Sequence, residues 1–470
     1  MKILHTSDWH LGQSFFTKSR KHEHAAFLNW IIEQVEANDV DAVIVACDVF
    51  DTGTPPSYAR ELYHAFIGAL QGKQCTLVVL GGNHDSVSVL NESKALLQYL
   101  NSYVVPSTYG DIDNQVITLN KKNGEAGAVL CAVPFIRPRD VIVSEAGQSA
   151  TDKRQALGDA IKQHYATLYE NAVSKRNELL EKKATNQTNL PIIATGHLTA
   201  LGVSQSESVR DIYIGTLEGF DAGGFPPADY IALGHIHRPQ KVAKQEHIRY
   251  SGSPIPLSFD ELNTQKQVVL VEFPQSDAQE LSQEAMQTSE QNDVHCKPII
   301  TSLPVPRFQA MTTIRGDLKH IEQAINTSEE IAKASFDTPV WLCIEVETQD
   351  YLTDLQQRVQ ALLDDKPAEI LQLKRVREKK AKPLSQQSHV QLSELSVDEV
   401  FEARLALEQI DDQTNDVSAN DSDSDSGASS RVARMKHLFK EAVFSIQNNA
   451  EDAAGQIGDK HGAEINKEQR

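Results

Sequence analysis

The acids, amides and histidines able to do chemistry in this 470-residue chain gather in five short blocks, each after an apolar, β-branched run. The blocks are Asp8-Trp9-His10, Cys47-Asp48-Val49-Phe50-Asp51, Gly82-Asn83-His84-Asp85, Gly196-His197 and Gly234-His235-Ile236-His237. Side chains at the carboxyl ends of sheet strands converge on one crevice. Carboxylate oxygen, imidazole nitrogen and amide oxygen form a mixed ligand set that suits Mn²⁺, Fe²⁺ or Zn²⁺ better than Ca²⁺ or a thiolate-bound structural zinc. Asp8, His10, Asp48, Asn83, His197, His235 and His237 are too many for one ion and about right for two, with His84 beside them. Gly81, Gly82, Gly196 and Gly234 are expected to permit the sharp turns that aim these side chains inward.

The elements that must position the blocks are legible as alternating patterns. Buried strands are expected at Lys2–Thr6, Ala42–Ala46, Thr76–Leu80, Ala128–Val133, Ile192–Thr195 and Tyr230–Leu233. Helical periodicity fills His24–Val35, with Phe27, Leu28, Ile31 and Ile32 on one side, and Tyr58–Leu70 after the Pro55-Pro56 start signal. That alternation predicts an α/β fold with helices on the sheet faces. The polar stretch Asp152–Asn189 reads as helix and then loop, ahead of the strand at Ile192. After a strand at Gln267–Phe273, a smaller βαβαβ unit is predicted, with strands Gln309–Ile314, Val340–Val346 and Ile370–Val376 and helices Leu318–Ala332 and Leu352–Leu363. Beyond it, Val397–Ile410 and Val432–Ile446 carry apolar stripes (Val400, Phe401, Leu405, Leu407; Met435, Leu438, Phe439, Val443) with no core left to join.

A net charge of −20 ordinarily argues against a nucleic-acid binder. Here Gln275–Val294 holds five acids and no base, and Asp411–Gly427 six aspartates and no base, so two low-complexity stretches supply eleven of the twenty surplus charges. The five cysteines are scattered without CxxC spacing, which argues against a disulfide framework or structural zinc. With no apolar run long enough to cross a bilayer, the chain reads as a cytoplasmic protein of two or three folding units.

The ordered blocks resemble the signature D-x-H, G-D-x-x-D, G-N-H-D, G-H and G-H-x-H of the calcineurin-like metallophosphoesterases, with Cys47 standing where that family carries glycine. The resemblance implies a four-layer αββα sandwich in which Asp8, His10, Asp48 and His237 hold one metal and Asp48, Asn83, His197 and His235 the second, Asp48 bridging. His84 would protonate the leaving oxygen or steady the developing charge, and Asp51 and Asp85 would orient ligands. More of the chain resembles the SbcD-type nuclease branch: Asp48–Tyr63, Gly234–Pro239, Tyr250–Phe259, the small βαβαβ unit in the place of a capping domain, and the Val397–Glu408 helix.

That branch implies an Mn²⁺-dependent DNA exonuclease and endonuclease acting in DNA repair, recombination and replication. Its C-terminal helices would dock on an SbcC-like ABC-type coiled-coil ATPase, and it would form a homodimer within a heterotetramer, with Tyr58–Leu70 and Ser93–Leu100 as candidate pairing helices. The basic run Lys374, Arg375, Arg377, Lys379, Lys380 and Lys382 would contact DNA phosphates. The implied domains are a nuclease domain at 1–274, an acidic disordered insertion at 275–300, a capping domain at 301–383, docking helices at 384–447 interrupted by an acidic linker at 411–430, and a disordered tail at 448–470. Two alternatives stay open: another metallophosphoesterase, such as a nucleotide phosphodiesterase or protein phosphatase, and a non-catalytic scaffold. Against a phosphoprotein phosphatase, Asp51-Thr52-Gly53 and Asn83-His84-Asp85 replace its D-R-G and N-H-E.

Overall fold

A computed structural model describes residues 1–110, 112–142, 150–182, 189–210, 212–213, 219–274, 296–347, 354–376 and 439. The chain divides into the units Met1–Glu378 and Lys379–Arg470, and only Phe439 of the second is described. Both acidic stretches, the basic run beyond Val376 and the C-terminal amphipathic stretches, Phe439 apart, lie outside the described residues.

Two six-stranded mixed sheets form the body of the first unit. One runs in the order Ile299–Pro304, Gln267–Glu272, Lys2–Thr6, Ala42–Val45, Thr76–Leu80 and Ser102–Val105. The other runs Gln240–Lys241, Ile248–Tyr250, Tyr230–Gly234, Ile192–His197, Ala126–Cys131 and Val116–Asn120. In each, four parallel strands are flanked by antiparallel pairing. The chain rejoins the first sheet through Ile299–Pro304 before it enters the smaller unit.

Strand residues alternate faces, and three cores separate by that parity. In the first sheet Leu4, Val43, Val45, Leu77 and Val79 pack under helices Lys21–Ala37 and Ser57–Gln71. Their neighbours Ile3, Ala42, Ile44, Val78 and Leu80 meet Leu119, Ala128, Leu130, Ile193 and Ala232 of the second sheet. The second sheet's outer face (Val129, Cys131, Ile192, Ala194, Ile231, Leu233) is covered by helix Ala150–Glu181 through Leu157, Ile161, Tyr165, Leu168 and Ala172, spaced to form one helical stripe. The result is helix, sheet, sheet, helix, each buried Leu, Ile or Phe contributing about 1.5–3 kcal/mol.

The smaller unit is a parallel sheet of Met311–Gly316, Val340–Glu347 and Ala368–Val376, with helices between its strands. The helix expected at Leu318–Ala332 is two, Leu318–Thr327 and Glu329–Lys333. Ser328 breaks it by taking extended backbone and accepting a hydrogen bond from the Ile331 N–H at 3.3 Å, the geometry of a helix N-cap. An aromatic contact joins the unit to the sandwich: Phe15 stacks on Trp341 at 5.7 Å and meets Phe259 edge-on. Among the described residues no helix is long and apolar enough to cross a membrane.

Candidate metal centre

All five blocks lie at carboxyl ends of strands, and the two sheets bring them to one place. Asp8 and His10 follow the strand Lys2–Thr6, Asp48 follows Ala42–Val45, and Asn83 and His84 follow Thr76–Leu80. His197 ends its strand in the second sheet, where His235 and His237 follow the next. The parallel ladder continues past the first two strands, since Asp8 N–H donates to Cys47 O at 3.1 Å and His10 N–H to Asp48 O at 3.1 Å. Trp9 points the other way, packed between Phe27 and Phe66, so Asp8 and His10 share the site face.

Ligand atoms of Asp8, His10 and His237 lie within 4.8 Å of one another, as do those of Asp8, Asp48 and His197, and of His10, Asp48 and His84. His197 Nε2 is 2.7 Å from Asn83 Oδ1 and 3.2 Å from Asp48 Oδ2. The His235 ring stands 5.1 Å from His197, and the His235 backbone N–H donates to Asp8 Oδ1 at 2.8 Å. All seven predicted ligands therefore share one cluster, and six are buried, Asn83 being half-buried. Buried ring nitrogens without a hydrogen-bond partner among the described residues, at His10 Nε2 and His235 Nε2, are what cation-binding donors look like without their ion. The donor set fits divalent metals.

The backbone carries the same signal. Asp8, His10, Asp48 and His235 adopt φ of 54°, 47°, 48° and 91°, a region non-glycine residues enter at a cost of about 1 kcal/mol or more and that clusters at functional sites. Cys47 has φ 75°, which explains the glycine usual there, and its side chain is buried between the sheets. The expectation for the other glycines is corrected. Gly81, Gly82, Gly196 and Gly234 all lie outside the left-handed region, and close approach requires them instead. A Cβ on Gly82 would sit 1.9 Å from Asp48 Oδ1, and one on Gly234 1.8 Å from Ala46 O.

Charges here are strongly coupled. Burial opposes a proton on His10, but its 3.0 Å bond to Asp51 Oδ1 and the Asp48 and Asp8 carboxylates outweigh it and push the pKa up to about 9. Burial also disfavours ionised Asp48, yet His197 and His84 hold it well below the usual carboxylate range. The field that attracts protons here equally attracts a divalent cation. His84 is pulled down to about 4 by burial and by His10 and Arg210, against Asp48. Its Nδ1–H donates to Asp51 O at 2.7 Å, leaving Nε2 free. Asp51 thus steadies His10 and His84 together. Asp85 accepts from the N–H groups of Val49, Phe50 and Gly82, tying the Asp48 loop to the Asn83 loop, and burial with Asp48 nearby raises it to about 6.

Several residues outside the blocks also serve the cluster. Ser7 Oγ donates to Asp8 Oδ2 at 2.7 Å, and Arg137 donates to the carbonyls of Gly82 and Asp85. His237 Nδ1 is 2.5 Å from Ser208 Oγ, which also contacts Glu261, and Glu261 pairs with Lys266 at 2.6 Å. Glu261 is buried, yet Lys266 and His237 hold it well below the usual range. No local spacing marks these positions; a buried ion pair leaves no periodic trace. His5 and His24 are buried and structural, His5 bonded to the Tyr230 hydroxyl.

A two-sheet sandwich whose strand ends carry carboxylates, imidazoles and an amide into one buried cluster defines the class, a phosphoesterase scaffold. Residues 1–239 match the calcineurin-like phosphoesterase family, and residues 307–409 match the type 5 capsule protein repressor C-terminal domain. The chain is 45% identical to SbcD of the nuclease SbcCD from Escherichia coli K12, over 96% of its own length and 100% of the relative's. It is 35% and 31% identical to the proteins of the same name from Rhodobacter capsulatus and Bacillus subtilis, each over 58% of this chain and 66% of the relative. The chain belongs to the SbcD nucleases within the calcineurin-like phosphoesterase family.

Proposed function

We propose that this protein is an Mn²⁺-dependent DNA nuclease, cleaving duplex ends and hairpin or single-stranded DNA, and that it works in the cytoplasm with an SbcC-like ABC-type ATPase in DNA repair and recombination. The observation that carries the reading is the convergence of Asp8, His10, Asp48, Asn83, His197, His235 and His237 from two sheets on one buried cluster, in a chain that aligns over 96% of its length with a named nuclease component. Asp8, His10, Asp48 and His237 would hold one cation, and Asp48, Asn83, His197 and His235 the other. Two bound divalent ions supply positive charge that acidifies water and offsets charge at phosphorus.

The chain's own residues do the rest. Asp51 and Asp85 keep the ligand loops in register, and Ser7 and the His235 N–H fix the Asp8 carboxylate. His84, its ring anchored through Nδ1 on the Asp51 carbonyl, keeps Nε2 for the substrate; as found it is neutral there, and it would pass a proton to the leaving oxygen or steady a phosphoryl oxygen once the negative charge of a bound phosphate has favoured a second proton on the ring. We place the nuclease domain at 1–274 and a capping domain at 301–383, the latter lending its first residues to the sandwich sheet, with 384–447 docking on the ATPase and the nuclease paired as a homodimer.

Purified full-length chain with Mn²⁺, the ATPase partner and ATP is expected to degrade linear duplex DNA and open hairpins. His84→Gln is expected to remove turnover and leave Mn²⁺ binding intact. DNA that stays whole under every combination refutes the proposal.

A further inference from the structure

We infer that Ser208, Glu261 and Lys266 form a buried relay that fixes the tautomer and position of His237, presenting Nε2 as its lone pair. The inference rests on the metal-site reading above and names positioning residues for it. Donor accounting carries the argument. Glu261 is an ionised carboxylate and can only accept. Its Oε2 takes the Lys266 ammonium at 2.6 Å and the Leu257 N–H at 2.9 Å, while its Oε1 takes the hydroxyls of Ser206, at 2.7 Å, and Ser208. Ser208 has a single hydrogen, which is spent on Glu261. At 2.5 Å from His237 Nδ1, its oxygen can then only accept, so Nδ1 bears the proton and Nε2 is left with the lone pair.

Lys266 grips the same histidine from behind. Its ammonium donates to the His237 carbonyl at 2.9 Å and to Ser253 Oγ at 2.8 Å, so one buried cation holds both the backbone of His237 and, through Glu261 and Ser208, its ring. The chain supplies these partners from two stretches, 206–208 and 253–266, and all are buried except Ser208, which is half-buried. Metal-ligating histidines commonly depend on such a partner for ring orientation, and losing it costs 10–100-fold in metal affinity.

The geometry also says what Glu261→Gln does. The Oε2 position faces the Lys266 ammonium and the Leu257 N–H, which can only donate, while the Oε1 position faces hydroxyls that can turn to accept, so the amide oxygen settles at the first and the NH₂ turns toward Ser208. Ser208 then accepts from Gln, and with Ser206 Oγ 3.0 Å away also rotating to accept from the amide, the Ser208 hydrogen turns to His237 Nδ1 and the proton moves to Nε2, where a lone pair is needed.

The test uses the full chain, Mn²⁺ titrated by calorimetry, and ¹⁵N-histidine NMR of the metal-free protein. Ser208→Ala is expected to weaken one Mn²⁺ site about 10–100-fold, and Ser208→Thr to restore it. Glu261→Gln is expected to switch the His237 signals from the Nδ1–H to the Nε2–H pattern and to add little further loss on top of Ser208→Ala. Wild-type Mn²⁺ affinity at both sites in Ser208→Ala, or an Nε2–H pattern in the wild type, overturns the relay. Should Glu261→Gln fail to fold, the Ser208 pair decides alone. A wild type that takes up no Mn²⁺ sinks the metal reading instead, and the NMR pattern still judges the relay.

Discussion

Gly234→Ala changes one hydrogen for a methyl group, and its consequence can be worked from the backbone. The added Cβ would lie 1.8 Å from the Ala46 carbonyl oxygen and 3.1 Å from Ser7 Cβ, where ordinary contact begins at 3.4 Å. The two strand ends must therefore part by roughly 1.5 Å, and neither obstacle is the far end of a flexible side chain. Ala46 leads into Asp48, and Gly234 leads into His235, so the parting separates candidate ligands contributed by opposite sheets. A displacement near 1 Å costs on the order of 10²-fold in rate, and overpacking of this kind costs about 1–3 kcal/mol. Gly68→Ala is the control: it lies in helix Ser57–Gln71 with open space around it, and alanine there should stabilise by up to about 1 kcal/mol. Urea denaturation and DNA cleavage assayed with Mn²⁺ added measure both. Gly234→Ala with wild-type rate and stability would refute the close-approach reasoning, and a damaged Gly68→Ala would show that the assay reports glycine loss in general.

Other outcomes follow from the same structure. Burial depresses the His24 pKa to about 3, so the unfolded chain takes up a proton as pH falls through 6.5 while the folded one does not, and stability is lost on acidification. By pH 5 this amounts to about 2 kcal/mol, which His24→Leu should retain relative to its own value at pH 7.5; equal slopes in urea titrations would contradict it. Chelating divalent ions should lower the melting temperature, and Mn²⁺ at 100 times its Kd should restore about 2.7 kcal/mol per site, read by calorimetry; a melting curve indifferent to Mn²⁺ counts against the centre. Cys47→Gly should keep nuclease activity and change stability by less than about 1 kcal/mol, whereas Cys47→Val, β-branched at φ 75°, should lose about 3 kcal/mol or more in denaturation. A benign valine would show that the backbone there is not strained.

The strands at Lys2–Thr6 and Thr76–Leu80 and the helix following Pro55-Pro56 stand where the alternation predicts, because burial on a sheet or under a helix imposes a period that the chain itself displays. The candidate metal-binding cluster was readable for a related reason: such chemistry demands particular side chains, and their place at strand ends demands particular spacings. Pairing is different. Lys2–Thr6 takes Gln267–Glu272 as its antiparallel neighbour, and Gln267–Glu272 takes Ile299–Pro304, contacts that no local period encodes. The glycines show the divide at a single residue type. Sequence alone determined that Gly82 and Gly234 belong to the site, but only the tertiary structure decided why they are glycine: Gly82 lets Asp48 come close from the neighbouring strand of its own sheet, and Gly234 lets Ala46 come close from the other sheet. Glu261 and Lys266 were silent for the same cause, since a buried ion pair is specified by what surrounds it in space, and its partners lie in three stretches that meet only after folding.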